Sequence, residues 1–542
     1  MRHVIRYQRL LLQAGGYPVH VEDESYHYNA YYFSGKDKSP TVSNVRRAAS
    51  QYCAIAATCV LIISYGLSIG YTTMLIGAVK DKNEPDFIVS EGGLSWIGSL
   101  SMFTTPVGAV LSGNFSQLVG RRGLMRAMAL PMATTWLLFY LSSTGSGQVW
   151  LIFVALGLQG LIMGLIESPT QIYVTEISDP RLRGSVSAVI SSTISLGVLL
   201  QTILGSFMHW SHLALVNGVL ALIALFAMGL VPESPYWLLR KGQVRRAKES
   251  LSWLRGWVNP NLIDPTLRAE FESMLTSSNH EYKPTSTTSI SKKRSCFETF
   301  ASRYLRREVY LPFSMVCFTF IISCFTGPSS ILPYAVPVFR KLHSPLDDYL
   351  ATALYAGLQL IAVMLVVPVV PLVGKRFLTF FSLIAGALAN FFIAAYVFLG
   401  DEKFIQGNSG SWLPTAALLL SVFSFGIGIR TTPWILAGEV FPADVRTELA
   451  GVAGCVCTFA SAVASKFFID QMNLLGTPGC FFSFALVNIL GLVVLWPAMP
   501  HTDGLSLSEL EKLYIKDDDT RAIADLHRDN EFEFKDVKDI KV

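Results

Sequence analysis

A charge pattern that occurs twice is the feature of this chain that most directly indicates chemistry. The first copy is Gly120-Arg121-Arg122 followed by Glu176-x6-Arg183, and the second is Gly374-Lys375-Arg376 followed by Glu439-x6-Arg446. The basic triplets are 254 residues apart and the acids are 263 residues apart. Glu and Arg seven residues apart lie two turns apart on one face of a helix. At the end of a span, these side chains can pair with the basic triplet of a neighbouring loop.

The elements that carry these charges are long apolar segments. Hydrophobic residues make up 51% of the 542-residue chain and charged residues 15%, whereas about a quarter of a soluble domain is charged. Apolar runs of about 20 residues, enough to cross a bilayer, recur twelve times between residues 51 and 499. Each basic triplet falls between two such runs, and each Glu…Arg pair follows another. We therefore predict an all-α membrane protein with twelve transmembrane helices in two six-helix bundles, one for each repeat.

The same pattern predicts the order and orientation of the segments. Residues 1–48 form an N-terminal tail, 49–231 the first bundle, 232–308 a loop with short helices, 309–499 the second bundle and 500–542 a C-terminal tail. If the spans alternate in direction, the basic clusters and the 232–308 loop lie on one side of the membrane. Because cytoplasmic loops are enriched in Lys and Arg, we expect both tails and this loop in the cytoplasm.

Several functional classes are excluded by what the sequence lacks. It contains no cluster of metal ligands, no nucleophile with a partner base and no phosphate-binding loop. We therefore expect no metal, no cofactor and no enzymatic activity. The net charge of +4 is small and the basic clusters lie at span ends, which argues against a nucleic-acid partner. The expected partners are the lipid bilayer and a small-molecule solute.

Five motifs in a fixed order point to a family. They are Trp96-Ile-Gly-Ser-Leu-Ser, the Gly120 triplet, Pro232-Glu-Ser-Pro-Tyr-Trp-Leu-Leu239, Pro433-Trp434 with Glu439-Val-Phe-Pro442, and Pro500-His-Thr-Asp-Gly504. Over residues 51–510 the sequence resembles the sugar porter family of the major facilitator superfamily, and within it the insect facilitated trehalose transporters. The resemblance implies two six-helix bundles around a central cavity, transport by alternating access, and a multi-pass protein of the plasma membrane.

The resemblance also implies a role for the repeated charges, as an inner gate on the cytoplasmic side. The gate closes that side when its ion pairs form and lets the bundles rock open when they break. Its residues are Arg121, Arg122, Glu176, Arg183, Glu233, Lys375, Arg376, Glu439 and Arg446. The alternative is that these charges only anchor span ends among the lipid headgroups. Since single surface pairs contribute under about 1 kcal/mol, a gate depends on the whole cluster.

The predicted solute pathway departs from the family pattern. Trp434, well inside a span, is expected to line the cavity and to stack on the C–H faces of a sugar. The amide side chains with which the family binds hydroxyls are largely replaced by small residues. These replacements are Ser191 for a Gln, Ser323-Cys324 and Ser329 for Gln-Gln and Asn, and Cys457-Thr458 for Asn-Trp. Such a cavity is wider and poorer in bidentate hydrogen bonds, so a less hydroxylated solute stays open as an alternative.

Two charges, Glu167 and Arg430, lie at membrane depth where the family has small residues. Intramembrane ionisable residues are functional candidates that need a partner. We hypothesise that the two pair across the cavity in one conformation. The alternatives are a local hydrogen bond of Glu167 to Ser168 or Thr170, snorkelling of Arg430 toward cavity water, and a charged solute met by either residue.

The sequence therefore predicts a facilitative carrier, a uniporter with a monomeric transport unit, for a small polar solute such as trehalose or a hexose. Thr72 supports uniport, because proton-linked sugar porters have an Asp at this position after Gly70-Tyr71. Two alternatives remain open. One is a carrier of a charged or less hydroxylated metabolite, proton-coupled through Glu167, and the other is a solute sensor that does not transport.

Overall fold

The computed structural model of the chain describes residues 44–80, 89–144, 148–178, 183–258, 265–281, 304, 306–400, 412–442 and 445–499. Over these residues it consists of helices and turns, and it contains no β-strand. Ten helices of the described part are long and apolar enough to cross a membrane. These findings confirm the predicted all-α class.

The first half contains six long helices. They are α1 (Asn44–Val79), α2 (Glu91–Val119), α3 (Arg121–Ser143), α4 (Val149–Ile177), α5 (Arg183–Gly205) and α6 (Trp210–Leu230). Helix α1 packs on α5 and α6, α2 packs on α4, and α3 packs on α4 and α6. Tyr71 of α1 contacts Trp136 and Phe139 of α3 edge-on or tilted, and all three rings are buried. Large aromatic side chains thus fill the interior of this half.

Three short helices follow: α7 (Pro235–Arg240), α8 (Val244–Leu254) and α9 (Pro265–Glu281). Leu238, Leu251 and Met274 belong to a small apolar cluster of their own between these helices. Hydrogen bonds attach them to the first half, because Ser50 of α1 donates to the carbonyl of Leu254 and Arg255 donates to that of Ile177. The short helices therefore form a small layer on the first half.

The second half repeats the plan with more breaks. Its helices are α10 (Arg307–Phe325), α11 (Pro328–Ile331), a 3-10 turn (Leu332–Tyr334), α12 (Ala335–Lys341), α13 (Asp348–Val373), α14 (Lys375–Leu399), α15 (Trp412–Ile427), α16 (Thr432–Glu439) and α17 (Arg446–Ala498). Helix α17 is two helices joined at Gly476, whose φ is 66°. Counting both parts of α17, and α5 with its apolar segment Val189–Gly205, the described chain contains the twelve predicted spans.

The spans have two ends, which differ in charge. We call the end at which α3, α14 and α17 begin the basic end, because Arg121, Lys375 and Arg446 stand there. We call the opposite end, where α1 ends at Val79 and α2 begins at Glu91, the distal end. Between the halves, α2 packs on α17, α5 on α13, and α1 on the 3-10 turn.

Candidate functional site

An ion pair joins the first basic triplet to the first repeated acid. Arg121 Nη2 lies 3.2 Å from Glu176 Oε1, at the start of α3 and near the end of α4. Both side chains are largely buried, with 6% and 16% of their surface exposed. Arg121 Nε and Glu176 Oε2 are buried and have no hydrogen-bond partner among the described residues. Arg121 is therefore the ion-pair partner of Glu176, and Arg240 adds a weaker electrostatic attraction.

Glu233 contacts the same helix end, but through the backbone. Its Oε1 accepts a hydrogen bond from the N–H of Arg122 at 2.9 Å, and its Oε2 accepts one from the N–H of Gly123 at 3.0 Å. A carboxylate at a helix N-terminus satisfies free N–H groups and is stabilised by the helix dipole. Gly120 is required here, since its φ is 101° and a Cβ would lie 2.4 Å from Glu233 Oε2.

The second triplet repeats the side-chain pairing. Lys375 Nζ lies 2.5 Å from Glu439 Oε2, between the start of α14 and the end of α16. Arg446 donates through Nε to the carbonyl of Phe441 at 3.0 Å, a contact five residues away in the chain. Arg183 stands at the start of α5, and its side chain lies outside the described residues. Both ion pairs therefore join spans of a single half, and a gate between halves stays a prediction.

The second basic residue of each triplet has a different role from the first. Arg122 donates to the carbonyls of Met228 and Gly229, near the end of α6, at 2.9 and 3.0 Å. Arg376 donates to the carbonyl of Trp496, near the end of α17, at 2.7 Å. Cationic side chains at helix C-termini satisfy carbonyls that have no partner within the helix. Each triplet thus pairs one charge with an acid and uses the next to cap a neighbouring helix.

Glu167 and Arg430 occupy equivalent positions in the two repeats. Each lies nine residues before the repeated acid of its half, Glu176 or Glu439. At 1.5 Å per residue this is about 14 Å from the basic end, near the middle of a bilayer core of about 30 Å. Arg430 falls at the break between α15 and α16. The two repeats therefore present opposite charges at the same depth.

The contacts of these two side chains differ. Glu167 Oε2 accepts a hydrogen bond from the hydroxyl of Tyr65 at 3.2 Å. Arg430 Nη1 is buried and has no hydrogen-bond partner among the described residues. Both side chains lie within electrostatic reach of Cys457, on α17. They are not within ion-pair distance of each other in the described structure, and pairing in another conformation remains a hypothesis.

The predicted pathway residues lie in several environments. Trp434 is half-exposed, and its ring contacts Phe320 of α10 edge-on at 4.9 Å between centroids. Ser323 is buried and donates to the carbonyl of Phe320, while Thr458 donates to those of Gly454 and Cys455. Ser191 is exposed and Ser329 half-buried. The hydroxyls of Ser323 and Thr458 donate to carbonyls of their own helices. Among the predicted pathway residues, Arg430 is therefore the strongest hydrogen-bond donor, since its buried Nη1 has no partner among the described residues.

Sequence reasoning missed a polar contact between the halves at the distal end. Lys466 of α17 donates to the hydroxyl of Ser95 in α2 and lies 4.5 Å from the ring centre of Trp96. Tyr334 donates to the carbonyls of Ser95 and Ser465, at 3.5 and 3.0 Å. A lysine inside an otherwise apolar run is the signal that could have identified it.

Further bonds between the halves lie at the same end. Thr73 donates to the carbonyl of Leu332 at 2.9 Å, and Arg340 donates to that of Lys80 at 3.4 Å. Asn473 donates to Glu91 at 2.7 Å. Burial lowers the pKa of Lys80, nearby Lys341 lowers it further, and Glu91 opposes the shift. The halves are thus joined at the distal end by hydrogen bonds from several spans.

A buried amide in α5 was also missed. Gln201 is fully buried beside Gly70 of α1, and neither its Nε2 nor its Oε1 has a partner among the described residues. Gln201 lies in an apolar run, ten residues after Ser191. An isolated amide in such a run is the sequence signal that could have identified it. Buried amides without partners are unusual in native proteins, so Gln201 is a further polar group available to the interior.

Comparisons with known proteins agree with this architecture. The sequence profile of the family described as "Sugar (and other) transporter" matches residues 58–514. The facilitated trehalose transporter Tret1 of Culex quinquefasciatus is 28% identical over 455 residues, covering 82% of each chain. The Tret1-2 homologue of Drosophila simulans is 26% identical over 463 residues, covering 85% of this chain and 90% of its own. The chain spans about half of some longer relatives, such as 53% of Tret1 from Aedes aegypti.

Solved structures with the same fold include those of the xylose transporter XylE. Its inward open conformation from E. coli has a TM-score of 0.67 at 15% identity, over 86% of this chain and 100% of XylE. The proton:xylose symporter XylE bound to 6-bromo-6-deoxy-D-glucose has a TM-score of 0.66 at 17% identity, with the same coverage. The family profile covers most of the chain, and the fold has the predicted two repeats of six spans. The chain therefore belongs to the family described as "Sugar (and other) transporter".

Proposed function

We propose that this protein is a facilitative carrier that moves a sugar across the plasma membrane by alternating access. Trehalose, a disaccharide, and the hexoses are the leading substrates, because the relatives are named facilitated trehalose transporters. The basic end and both tails face the cytoplasm, in accordance with the enrichment of Lys and Arg in cytoplasmic loops. The transport unit is one chain, since two repeats within it supply both bundles.

The observation that carries this proposal is the pair of opposite charges at equal depth, Glu167 and Arg430, with the half-exposed Trp434 four residues after Arg430. Sugar hydroxyls both donate and accept hydrogen bonds, and the family's amides do both. Here Arg430 supplies donors and Glu167 supplies acceptors, and hydrogen bonds to charged groups are about twice as strong as neutral ones. Two charged side chains thereby take the role of the amides that the family has at the pathway positions and that this chain lacks there.

The contacts between the halves support alternating access. In the described state the halves are hydrogen-bonded at the distal end, through Lys466, Tyr334 and Thr73. The ion pairs at the basic end, Arg121–Glu176 and Lys375–Glu439, each lie within one half. Contact at the distal end supports a carrier that closes on that side, which the proposed orientation makes the outside. Rocking of the bundles has to break the distal bonds and bring the basic ends together.

Uptake into proteoliposomes tests the proposal. We expect saturable flux of labelled trehalose or glucose that is unchanged by a pH gradient, and Trp434→Ala to raise KM about tenfold, because stacking on a sugar is lost. Trp412→Ala is the matched control, since Trp412 is also half-exposed but stands at the distal start of α15. If the wild-type protein in liposomes binds a sugar but does not transport it, the result would instead favour a solute sensor.

A second candidate, a carrier of an anionic metabolite, is favoured by the unpartnered Arg430 Nη1. For the sugar carrier we expect Arg430→Gln to raise the KM for sugar about tenfold or more, because hydrogen bonds to charged groups contribute about 1.5–3 kcal/mol. We expect Arg430→Lys to recover part of this affinity. Three results together would establish the second candidate. The wild type transports a carboxylate-bearing solute, it transports no sugar, and Arg430→Gln abolishes transport of the carboxylate. If Glu167→Gln and Arg430→Gln both leave flux intact, neither residue pairs or binds solute.

A further inference from the structure

A groove runs along the outer surface of the second half, away from the predicted solute pathway. It has a volume of about 590 Å³ and lies on one face of α14, beside the last turn of α17. Its lining is apolar except for one cation; the main contributors are Arg376, Phe377, Phe381, Ile384, Leu388 and Trp496. Apart from Arg376, these are strongly exposed, from 46% for Ile384 to 65% for Leu388. On a membrane-spanning helix, acyl chains of the bilayer cover such a surface.

The length and depth of the groove match one leaflet of a bilayer. Arg376 stands at the start of α14 at the basic end, and Leu388 lies twelve residues further along the helix. At 1.5 Å per residue the distance is about 18 Å. The hydrocarbon core of a bilayer is about 30 Å thick, so the groove extends from headgroup level to about the middle of the membrane. This is the extent of a single acyl chain.

Arg376 is held at the mouth of this groove. Its Nη2 donates to the carbonyl of Trp496 at 2.7 Å, and its guanidinium lies 5.5 Å from the ring centre of Phe380 and 5.8 Å from that of Trp496. These contacts fix the side chain by cation–π attraction. A guanidinium has five N–H donors, and the carbonyl takes one of them. The others suit a phosphate, which arginine binds in a forked geometry.

We propose that the groove binds one anionic glycerophospholipid, with an acyl chain along α14 and the phosphate on Arg376. The occupant is a lipid because the groove lies on a membrane-spanning helix, is apolar over its length and has its cation at headgroup level. The lipid is anionic because a basic residue near the surface attracts anionic headgroups by about 1 kcal/mol. This energy corresponds to a preference of about fivefold over a zwitterionic lipid. The inference is independent of the transported solute.

Native mass spectrometry of the full-length protein, with phosphatidylserine and phosphatidylcholine added in equal amounts, tests the proposal. We expect one retained lipid with an about fivefold preference for phosphatidylserine, falling to about equal retention in Arg376→Gln. Because Arg376 also caps α17, a second variant, Leu388→Trp, fills the groove without touching that cap and should reduce retention of both lipids. Phe398→Trp, on the same helix outside the groove, is the control and should behave as the wild type.

Two results would overturn the proposal. One is a preference for phosphatidylserine that persists in a folded Arg376→Gln variant, which would place the anionic lipid elsewhere. The other is unchanged lipid retention in Leu388→Trp, which would show that the groove holds no acyl chain. If Arg376→Gln does not fold, the comparison of Leu388→Trp with Phe398→Trp decides alone.

Discussion

Replacing Arg121 by leucine will destabilise the protein by about 3–5 kcal/mol, because Glu176 is then left as a buried charge without its partner. The Arg121 side chain is only 6% exposed, and Glu176 Oε2 already has no hydrogen-bond partner among the described residues. Replacing both residues by leucine removes the stranded charge, and we expect the double variant to recover much of the loss. The measurement is thermal unfolding of the purified protein in detergent.

The matched control for this experiment is an exposed ion pair of the same chain. Arg245 and Glu249 in α8 are 3.3 Å apart, with 91% and 49% of their side-chain surface exposed. Exposed pairs of this kind contribute about 0.3–0.5 kcal/mol, so Arg245→Leu should barely shift the melting temperature. A double variant as unstable as Arg121→Leu alone would show that the loss arises from packing and not from the stranded carboxylate.

Replacing Gly164 by alanine will also destabilise the protein, by about 1–3 kcal/mol, although alanine is the better helix former. Gly164 of α4 faces α2 so closely that a Cβ would lie 2.0 Å from the carbonyl oxygen of Thr105 and 2.6 Å from the backbone N of Ala109. Neither obstacle is a flexible side chain. The helices therefore have to separate, and the packing of α2 against α4 is lost along its length.

Gly157 provides the control in the same helix. A Cβ there meets nothing within 4 Å, so Gly157→Ala should stabilise the helix by about 0.5–1 kcal/mol. The two substitutions are chemically identical, and we expect melting-temperature shifts of opposite sign. Shifts of the same sign would mean that α2 and α4 tolerate a wider separation than their backbone contact indicates.

The spans were predictable because they depend on the length of apolar runs, and the repeated charges marked where ion pairs could form. An apolar run of bilayer length forms a membrane-spanning helix regardless of which helices pack beside it. Twelve such helices are present in the described chain. The contact of Arg121 with Glu176 follows the repeated pattern. The gate between halves that this pattern suggested remains a prediction, since the described pairs lie within a half.

Other features could not be read from the sequence because they depend on which helices are neighbours. Arg121 and Arg122 are adjacent in sequence, but neighbouring residues on a helix point about 100° apart. One therefore meets α4 and the other meets the end of α6. Glu233 binds backbone N–H groups, which leave no pattern in the sequence. Lys466 was overlooked because its partner Ser95 lies 371 residues away.

The unequal placement of charge between the halves has an electrical consequence. Near mid-membrane the second half carries Arg430, with Lys466 and Asp470 as opposite charges further along α17, whereas the first half carries Glu167. Moving one elementary charge through the full membrane potential changes its free energy by about 2.3 kcal/mol per 100 mV. Rocking of the two halves shifts these charges relative to that field. Voltage will therefore bias which side the empty protein opens to, even though the sugar itself is uncharged.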